Sequence, residues 1–401
     1  MSGRRRWAPI KLGVLEPLSG PVKYFGDNCV AGLRFALERI NGSGGVLGRE
    51  LELVLADSEL KADVAATRAT DLVLDGKVDL LVVSTGSHVG AAVSQVAARH
   101  KKLFVSTGAE ARELTGREFF ETTFRCCLNT DMHAGALAVY FARLASRKFT
   151  TFYLLHQDYN FGRAAADGFK RMFSRIKAAT QRIVGEEYHP LQTVRDFGPY
   201  IAKIMASGAE VVITSDWGQD LRLLLQDGAS LGWQTTVGGF FLNDPTLLAS
   251  AGRAAIGHAT AMEYLVTVDT PENEEFLRAW GARYPDAPLL YRYPDFGSAR
   301  SYYAATWLAE VIARAGSVET RALIRAWEGS RLRTAWGEVE MRAGDHQMLT
   351  PGYVAEIVAP DHIPPGARSF GAQFPCAGPA TKISKADLTI PLTETGNPRY
   401  A

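Results

Sequence analysis

"VDLLVVSTGSHVGAAVSQVAARHKKLFVSTGA", residues 78–109, places two short apolar runs on either side of a longer segment. The flanking runs are rich in valine and leucine, which is typical of strands that are buried on both faces. The middle segment, from about Val89 to His100, spaces its apolar residues as a helix does. Because parallel strands joined by a helix form a right-handed crossover, the stretch predicts a parallel sheet covered by helices on both faces.

The same alternation of strand and helix patterns continues along the chain. The pattern of the first part of the chain predicts a strand at residues 10–17, followed by a helix that begins at Gly26-Asp27 and ends at Asn41-Gly42. It then predicts a strand through Leu51, Leu53 and Leu55 and a helix from about Ala62 to Leu74. After residue 128 the series starts again with "NTDMHAGALAVYFARLAS", "TTFYLLHQD" and "GRAAADGFKRMFSRI". Two series in 401 residues predict two similar α/β lobes.

The C-terminal part of the chain has a different composition. After Pro360 the sequence is rich in proline and glycine, as in "PDHIPPGARSFGAQFPCAGPATK". Such segments seldom form long helices or strands. We therefore expect a strap that runs over the surface and ends in a frayed terminus.

Composition excludes several classes of function. The net charge is +1, with 47% hydrophobic and 22% charged residues, so the chain has no basic field that would attract nucleic acid. The longest apolar stretches are too short or too charged to span a bilayer. The basic N-terminus lacks the apolar segment of a complete signal peptide, so the sequence is either a trimmed form or that of a cytosolic protein.

The four cysteines have no metal-ligand spacing. They are Cys29, Cys126, Cys127 and Cys376. We expect buried free thiols, with a disulfide to Cys376 as the alternative in an oxidising compartment.

No catalytic or cofactor motif stands out. The glycines of "NGSGGVLG" follow a helix and miss the spacing of a nucleotide-binding loop, so a tight turn is the better interpretation. His133 near Asp131 and His156 near Asp158 are single pairs, for which solvated or capping roles are expected. The sequence thus predicts no metal site, no cofactor and no enzyme.

The ends of the predicted strands carry small polar residues and aromatic rings. In an open parallel sheet, ligands bind beyond the carboxyl ends of the strands. Ser87 follows a strand and starts a helix, where its hydroxyl and the first backbone N–H groups could receive a carboxylate or carbonyl oxygen. An ordinary helix cap is the alternative for Ser87. Thr107, in "VSTGA", offers similar donors one strand over.

Aromatic residues predict the other wall of this cleft. They lie in the connections of the second series, where core packing does not demand them: Tyr159, Phe161, Trp217, Phe240 and Phe241. We expect about half of them to pack under the loops and the rest to face a small-molecule cleft.

A longer succession of segments resembles a known family. The segments are "PLSGPVKYFGDNCVAGLRFALERINGSGGVLGRELELVLAD", "STGSHVGAAVSQVAARHKKLFVSTGAEARELTG", "FRCCLNTDMHAGALA", "HQDYNFGRAAADGF" and "MRAGDHQMLTPGYVAEIV". From about Ile10 to Val358 the chain resembles the type I periplasmic binding proteins, in particular the branched-chain amino-acid group typified by the Leu/Ile/Val-binding protein.

The resemblance implies a fold class and a division of the chain. The implied fold is α/β, with two Rossmann-like lobes whose parallel sheets are joined by a three-segment hinge. Lobe 1 would comprise residues 10–126 and 262–337, and lobe 2 residues 127–261 and 338–360. Residues 361–401 would form the C-terminal strap.

The family's ligand positions carry over one at a time. The carboxylate-binding serine falls on Ser87, and the backbone donor of the next strand on Ala109. The aromatic of the first loop falls on Phe25, with Tyr24 beside it. The second-lobe aromatics fall on Phe161, after Tyr159, and on Trp217.

Two positions depart from the family pattern. The family has a threonine after the position of Ala109, where this chain has Glu110. The family's glutamate that pairs with the ligand ammonium falls near Phe241, whose uncharged ring cannot form that ion pair. Either Glu110 or Asp216 therefore supplies the negative charge, or the ligand has no ammonium. The pair Ser87-His88 is also similar to the amide- and urea-sensing branch of the superfamily.

The resemblance implies a solute-binding protein of an ABC importer, with the permease subunits as partners and the periplasm as its location. The expected ligand is a hydrophobic or aromatic amino acid, followed by an aromatic acid or an amide. The alternative is a cytosolic sensor of amide- or urea-type ligands that acts on a regulatory partner.

Overall fold

A computed structural model describes residues 7–288, 291–368 and 374–400. Its strands are β1 Ile10–Glu16, β2 Leu51–Asp57, β3 Leu80–Val83, β4 Leu103–Ser106, β5 Thr123–Arg125, β6 Thr151–Gln157, β7 Arg182–His189, β8 Val211–Thr214, β9 Thr236–Gly239, β10 Ala259–Met262, β11 Arg331–Thr334, β12 Gly337–Met341, β13 Met348–Leu349, β14 Gly352–Val358, β15 Cys376–Ala377 and β16 Thr381–Ile383. Its α-helices are α1 Lys23–Gly42, α2 Ala62–Leu74, α3 Ser87–Arg99, α4 Thr130–Val139, α5 Asn160–Ile176, α6 Gly198–Ala206, α7 Gly218–Ser230, α8 Pro245–Ala251, α9 Pro271–Arg283, α10 Phe296–Ala315, α11 Thr320–Trp327 and α12 Lys385–Leu388.

The first sheet is parallel and has the strand order β2-β1-β3-β4-β5. The chain therefore leaves β1 toward one side and β3 toward the other, which opens a crevice at the carboxyl ends of these two strands. The sequence predicts that "PLSGPVKYFG" and "STGSHVG" face a ligand at this switch point. The sheet and the helices packed on it form the first lobe.

The second sheet has the order β15-β14-β10-β9-β8-β6-β7, with β16 also paired to β14. The strands from β6 to β10 are mutually parallel, and β14, β15 and β16 join them antiparallel. The prediction of an α/β fold with parallel sheets in two lobes is confirmed. A small antiparallel sheet, β11-β12-β13, follows α11.

The chain after residue 262 returns to the first lobe. There α10 lies against α1 so closely that a Cβ built on Gly32 would stand 2.1 Å from the backbone oxygen of Ser298. The start of α1 also differs from expectation, because the helix begins at Lys23 rather than at Gly26. Tyr24 and Phe25 therefore lie in the first helical turn, which fixes their direction.

Residues 374–400 differ from the expected surface strap because they contain two short strands, whereas residues 361–368 contain no helix or strand; residues 369–373 lie outside the described residues. The strands β15 and β16 pair with β14 and thereby cover an otherwise open sheet edge. Near the terminus, Asn397 is fully buried and its amide donates to the Thr115 carbonyl of the first lobe at 3.1 Å. The tail thus touches both lobes.

All four cysteines are buried and free, as expected. None of the helices in the described part of the chain has the length and apolar character needed to span a membrane. Within residues 7–288, 291–368 and 374–400, no group of three His, Cys, Asp or Glu side chains is arranged to hold a metal ion.

The close contact between α1 and α10 predicts that Gly32→Ala destabilises the protein by about 1–3 kcal/mol. The added methyl group would clash with the backbone of Ser298, which can move only if the two helices shift apart. The matched control is Gly42→Ala at the end of the same helix, where the new Cβ meets nothing within 4 Å. Urea unfolding should show a lower midpoint for the first variant and an unchanged or slightly higher one for the second. Equal midpoints would contradict the packing described.

Candidate functional site

A cleft between the two lobes encloses about 530 Å³ of empty space, part of it open to solvent. Its base is formed by the carboxyl ends of β3 and β4, and the helices α1 and α10 close one side. The lining residues are Phe25, Cys29, Ser84, Thr85, Gly86, Ser87, Thr107, Gly108, Glu110, Tyr159, Phe161, Trp217, Phe241, Phe296, Gly297 and Arg300.

Eight of the twelve predicted site residues line this cleft: Phe25, Ser87, Thr107, Glu110, Tyr159, Phe161, Trp217 and Phe241. The other four lie behind the wall. The amide of Ala109 donates to Ser106 Oγ at 2.9 Å, so it is no free donor. The His88 ring stands against the Leu60 carbonyl at 2.9 Å, and Tyr24 stacks behind Phe25 with a centroid separation of 4.3 Å.

Asp216, the fourth of these residues, is committed to a histidine. Its carboxylate lies 2.8 Å from His189 Nε2, and both side chains are fully buried. Burial disfavours a charge on His189, but the carboxylate outweighs this and raises its pKa to about 9. Asp216 is therefore paired with His189 and does not line the cleft.

Ser87 does not cap its own helix; it supports the neighbouring loop. Its Oγ accepts hydrogen bonds from the amides of Glu110 at 3.1 Å and Ala111 at 3.0 Å. With its lone pairs engaged, the hydroxyl proton remains available to a ligand. The helix α3 begins at this residue without a side-chain cap, so no side chain satisfies its first amide N–H groups.

Aromatic rings from the two lobes meet across the cleft. Phe25 on α1 contacts Trp217 edge to face with centroids 5.5 Å apart, and Phe296 on α10 lies 5.7 Å from Phe241. Phe240 instead turns inward and stacks on His133 at 4.8 Å. The rings that remain in the cleft make its upper part apolar.

The backbone that carries Trp217 is held by side-chain amides. Gln192 Nε2 donates to the Trp217 carbonyl at 2.7 Å, and Gln157 Nε2 donates to Asp220 at 2.7 Å. The indole N–H of Trp217 donates to the Tyr159 hydroxyl at 3.0 Å. These hydrogen bonds hold both the backbone and the indole ring of Trp217 in place.

A buried charged network forms the inner wall of the cleft. Arg300 Nη1 donates to Glu110 at 2.6 Å, and Arg300 Nη2 donates to Glu263 at 2.8 Å, with a second hydrogen bond from Nε to the same glutamate. Burial raises the pKa of Glu110, but its interactions with His133 and Arg300 outweigh this and the net shift is downward. Glu110 is therefore ionised, and its Oε1 is paired with Arg300, whereas its Oε2 accepts no hydrogen bond.

His133 joins this network from α4 in the second lobe. Its Nε2 lies 3.2 Å from the Glu110 carboxylate, and its Nδ1 lies 3.0 Å from the Ala261 carbonyl. The expected solvated or capping role is wrong, since the ring is fully buried. The same correction applies to His156, which lies 2.9 Å from Ser215 Oγ and whose pKa burial lowers to about 4.

A second acid, Glu16, lies beneath the base of the cleft at the end of β1. It accepts a hydrogen bond from the Ser84 amide at 2.7 Å, and burial raises its pKa to about 7. Sequence reasoning missed Glu16, Glu263 and Arg300. One local feature of the sequence could have indicated Arg300. It is the charged residue among the small and aromatic residues of "FGSARSYYAATW".

Two α/β lobes with a lined cleft between them suit the binding of a small solute. A family model described as periplasmic binding protein matches residues 9–362, and the chain belongs to that family. It is 25% identical over 378 residues to Leu/Ile/Val-binding protein homolog 4 of Brucella melitensis, an alignment that covers 90% of this chain and 87% of the relative.

Solved structures share the fold. The leucine-, isoleucine-, valine-, threonine- and alanine-binding protein of Brucella ovis, in a closed conformation, superimposes with a TM-score of 0.83 at 22% identity, covering 96% of this chain and 97% of that one. A solute-binding protein of an ABC transporter from Rhodopseudomonas palustris BisB5, in complex with 3,4-dihydroxybenzoic acid, gives a TM-score of 0.79 at 18% identity, covering 95% and 99%.

The raised pKa of Glu16 predicts a pH-dependent stability. The folded protein holds this proton up to about pH 7, whereas the unfolded chain releases it near about 4.3, so the protein loses stability as the pH rises through that window. Glu16→Gln removes the charge and keeps an acceptor for the Ser84 amide. Relative to the unsubstituted protein, it should gain up to about 3 kcal/mol at pH 8 and little at pH 5.

Thermal melting at the two pH values checks this expectation. Glu50→Gln, at an exposed position, is the control and should leave the difference between pH 5 and pH 8 unchanged. If Glu16→Gln gave the same difference as the control, the buried acid would not be the source of the effect.

Proposed function

We propose that this protein captures a small, largely apolar solute in the interlobe cleft and hands it to the membrane permease of an ABC importer. The observation that carries the proposal is the meeting of aromatic rings from both lobes over a base of polar donors. A flat apolar solute between such rings gains both burial and ring stacking.

Hinge closure follows from the same contacts. Because Phe25 and Trp217 touch across the cleft, movement of the lobes apart would separate these rings and admit a solute, which is covered when the lobes return. The proposed lobes are residues 10–126 with 262–337 and residues 127–261 with 338–360, so three crossings of the chain form the hinge. The closed form would be the one that the permease recognises.

The ligand belongs, in this proposal, to the apolar amino acids or the aromatic acids. The names of the relatives point to the first class and the bound dihydroxybenzoic acid of the Rhodopseudomonas protein to the second. Both carry a carboxylate, for which the Ser87 hydroxyl and the first amides of α3 supply donors.

We place the protein in the periplasm, in keeping with its family. We also propose that it performs no chemistry. The Ser87 hydroxyl is engaged by two amides, and the neighbouring His88 ring stands against the Leu60 carbonyl, so the two do not form a nucleophile and its base.

Trp217→Ala should weaken solute binding about 10- to 100-fold, because the ring covers the bound solute and contacts the opposite lobe. Trp217→Phe keeps a ring and is the matched control, expected to lose less than about 10-fold. Titration calorimetry with a solute found by thermal-shift screening measures both.

Ser87→Ala tests the base of the cleft in the same assay. The lost hydroxyl donor should weaken binding of a carboxylate solute by about 10-fold or more. Circular dichroism of each variant checks that the fold persists. Unchanged affinity in both Ser87→Ala and Trp217→Ala would remove the proposed site.

A further inference from the structure

We propose that the C-terminal tail, residues 384–400, is a fourth link between the two lobes and favours their closed arrangement. The inference rests on the proposed hinge closure and goes beyond it, because none of the three proposed hinge crossings lies in this segment. Its support comes from the anchorage of the tail on the second lobe, from its docking on the first lobe, and from an ion pair between the lobes that the tail contacts.

The tail is anchored on the second lobe at its start. The strand β16 pairs with β14 directly before it, and the short helix α12 packs on α4. Leu388 of α12 is buried, and a Cβ built on Gly135 or Gly352 would stand 3.3 Å or 2.9 Å from its methyl groups. This end of the tail therefore moves with the second lobe.

The last residues of the tail dock on the first lobe. The side-chain amide of Asn397, which is fully buried, donates to the Thr115 carbonyl at 3.1 Å. Arg399 Nη2 donates to Glu121 at 2.9 Å, and its Cζ lies 4.7 Å from the centroid of the Phe119 ring. The tail therefore spans from one lobe to the other.

The part of the tail between these two anchors has little slack. The carbonyl of Ile390, a buried residue, accepts from Arg342 Nη1 at 2.7 Å. A Cβ built on Gly116 of the first lobe would stand 2.5 Å from the Thr395 carbonyl oxygen. Because the tail is held at these intermediate points as well, it cannot simply pay out as the lobes separate, and contacts on one side or the other must break.

An ion pair between the lobes lies against the tail. Arg112 of the first lobe places its Nε 3.2 Å from the carboxylate of Asp131, a fully buried side chain of α4. Arg112 Nη2 donates to the Glu394 carbonyl of the tail at 2.7 Å, and the Glu394 carboxylate pairs with Arg175 of α5. The tail carbonyl and Asp131 thus hold the Arg112 guanidinium between them. Such a partly buried pair is screened less by solvent than an exposed one.

The contacts of the tail and the contact across the cleft belong to one arrangement of the lobes. Phe25 and Trp217 touch across the cleft in the same structure in which the tail bridges the lobes. Rotation of the lobes apart would draw Arg112 away from Asp131 and stretch the tail between its anchors. The tail therefore shifts the equilibrium toward the closed form, with or without a solute.

The double variant Asn397→Ala/Arg399→Ala tests the inference, because it weakens the hold of the tail on the first lobe and leaves its anchors on the second. Spin labels at Lys61→Cys and Asp167→Cys, two exposed positions on opposite lobes, report the separation of the lobes by pulsed electron paramagnetic resonance. All four native cysteines are buried, so the labels attach to the introduced ones. Without solute, the population with separated lobes should rise about 5-fold or more in the double variant.

The matched control is Lys385→Ala/Thr393→Ala, which also truncates two side chains of the tail. Lys385 Nζ lies 3.7 Å from Glu340, outside the first sheet and its helices, and Thr393 is exposed. The control should leave the label distances as they are in the unsubstituted protein. Because Asn397 is buried, Arg399→Ala alone is the second variant, and it should give a smaller shift in the same direction. Unchanged distances in both Arg399 variants would overturn the inference.

Titration with leucine, phenylalanine and 3,4-dihydroxybenzoate separates this inference from the proposed function. A solute that binds should return the labels of the double variant to the short distance, which supports both. If calorimetry showed that none of the three binds the unsubstituted protein, the result would count against the proposed function. The label distances without solute would still decide the role of the tail.

Discussion

The pairing of Arg300 with Glu263 and Glu110 is the interaction on which the inner wall of the cleft depends. All three side chains are buried, and removal of one partner from such a set costs about 3–5 kcal/mol because it leaves a buried charge uncompensated. The set joins α10 and the end of β4 to the segment after β10, and His133 extends it to α4. This set of side chains therefore fixes the relative positions of these elements and places charged groups at the inner wall of the cleft.

The topology of the first sheet explains why the cleft lies where it does. The order β2-β1-β3-β4-β5 turns the connections after β1 and β3 in opposite directions, and the gap between them receives the start of α3. Its amides and the Ser87 hydroxyl are donors, whereas the rings above them are apolar. A solute with one polar end and one flat apolar end matches both halves.

The sequence allowed the fold class and the strand-end residues to be predicted, because both follow from local patterns. Ser87 and Trp217 each come directly after an apolar run, and parallel strands bring such positions to one edge. Arg300 and Glu263 could not be predicted in this way, since their pairing joins residues 37 positions apart. Nor could the burial of His133, which depends on a carbonyl and a carboxylate from distant elements. The strands β15 and β16 were also not predicted, because the composition of this segment does not reveal that it pairs with a sheet edge.

A crystal structure of the protein with a solute found by thermal-shift screening tests the central claim, that the cleft between the lobes binds a small apolar solute, most directly. The account predicts that the apolar part of the solute lies against Phe25 and Trp217, with its polar end at Ser87. A solute bound elsewhere on the protein, with the cleft empty, would contradict it.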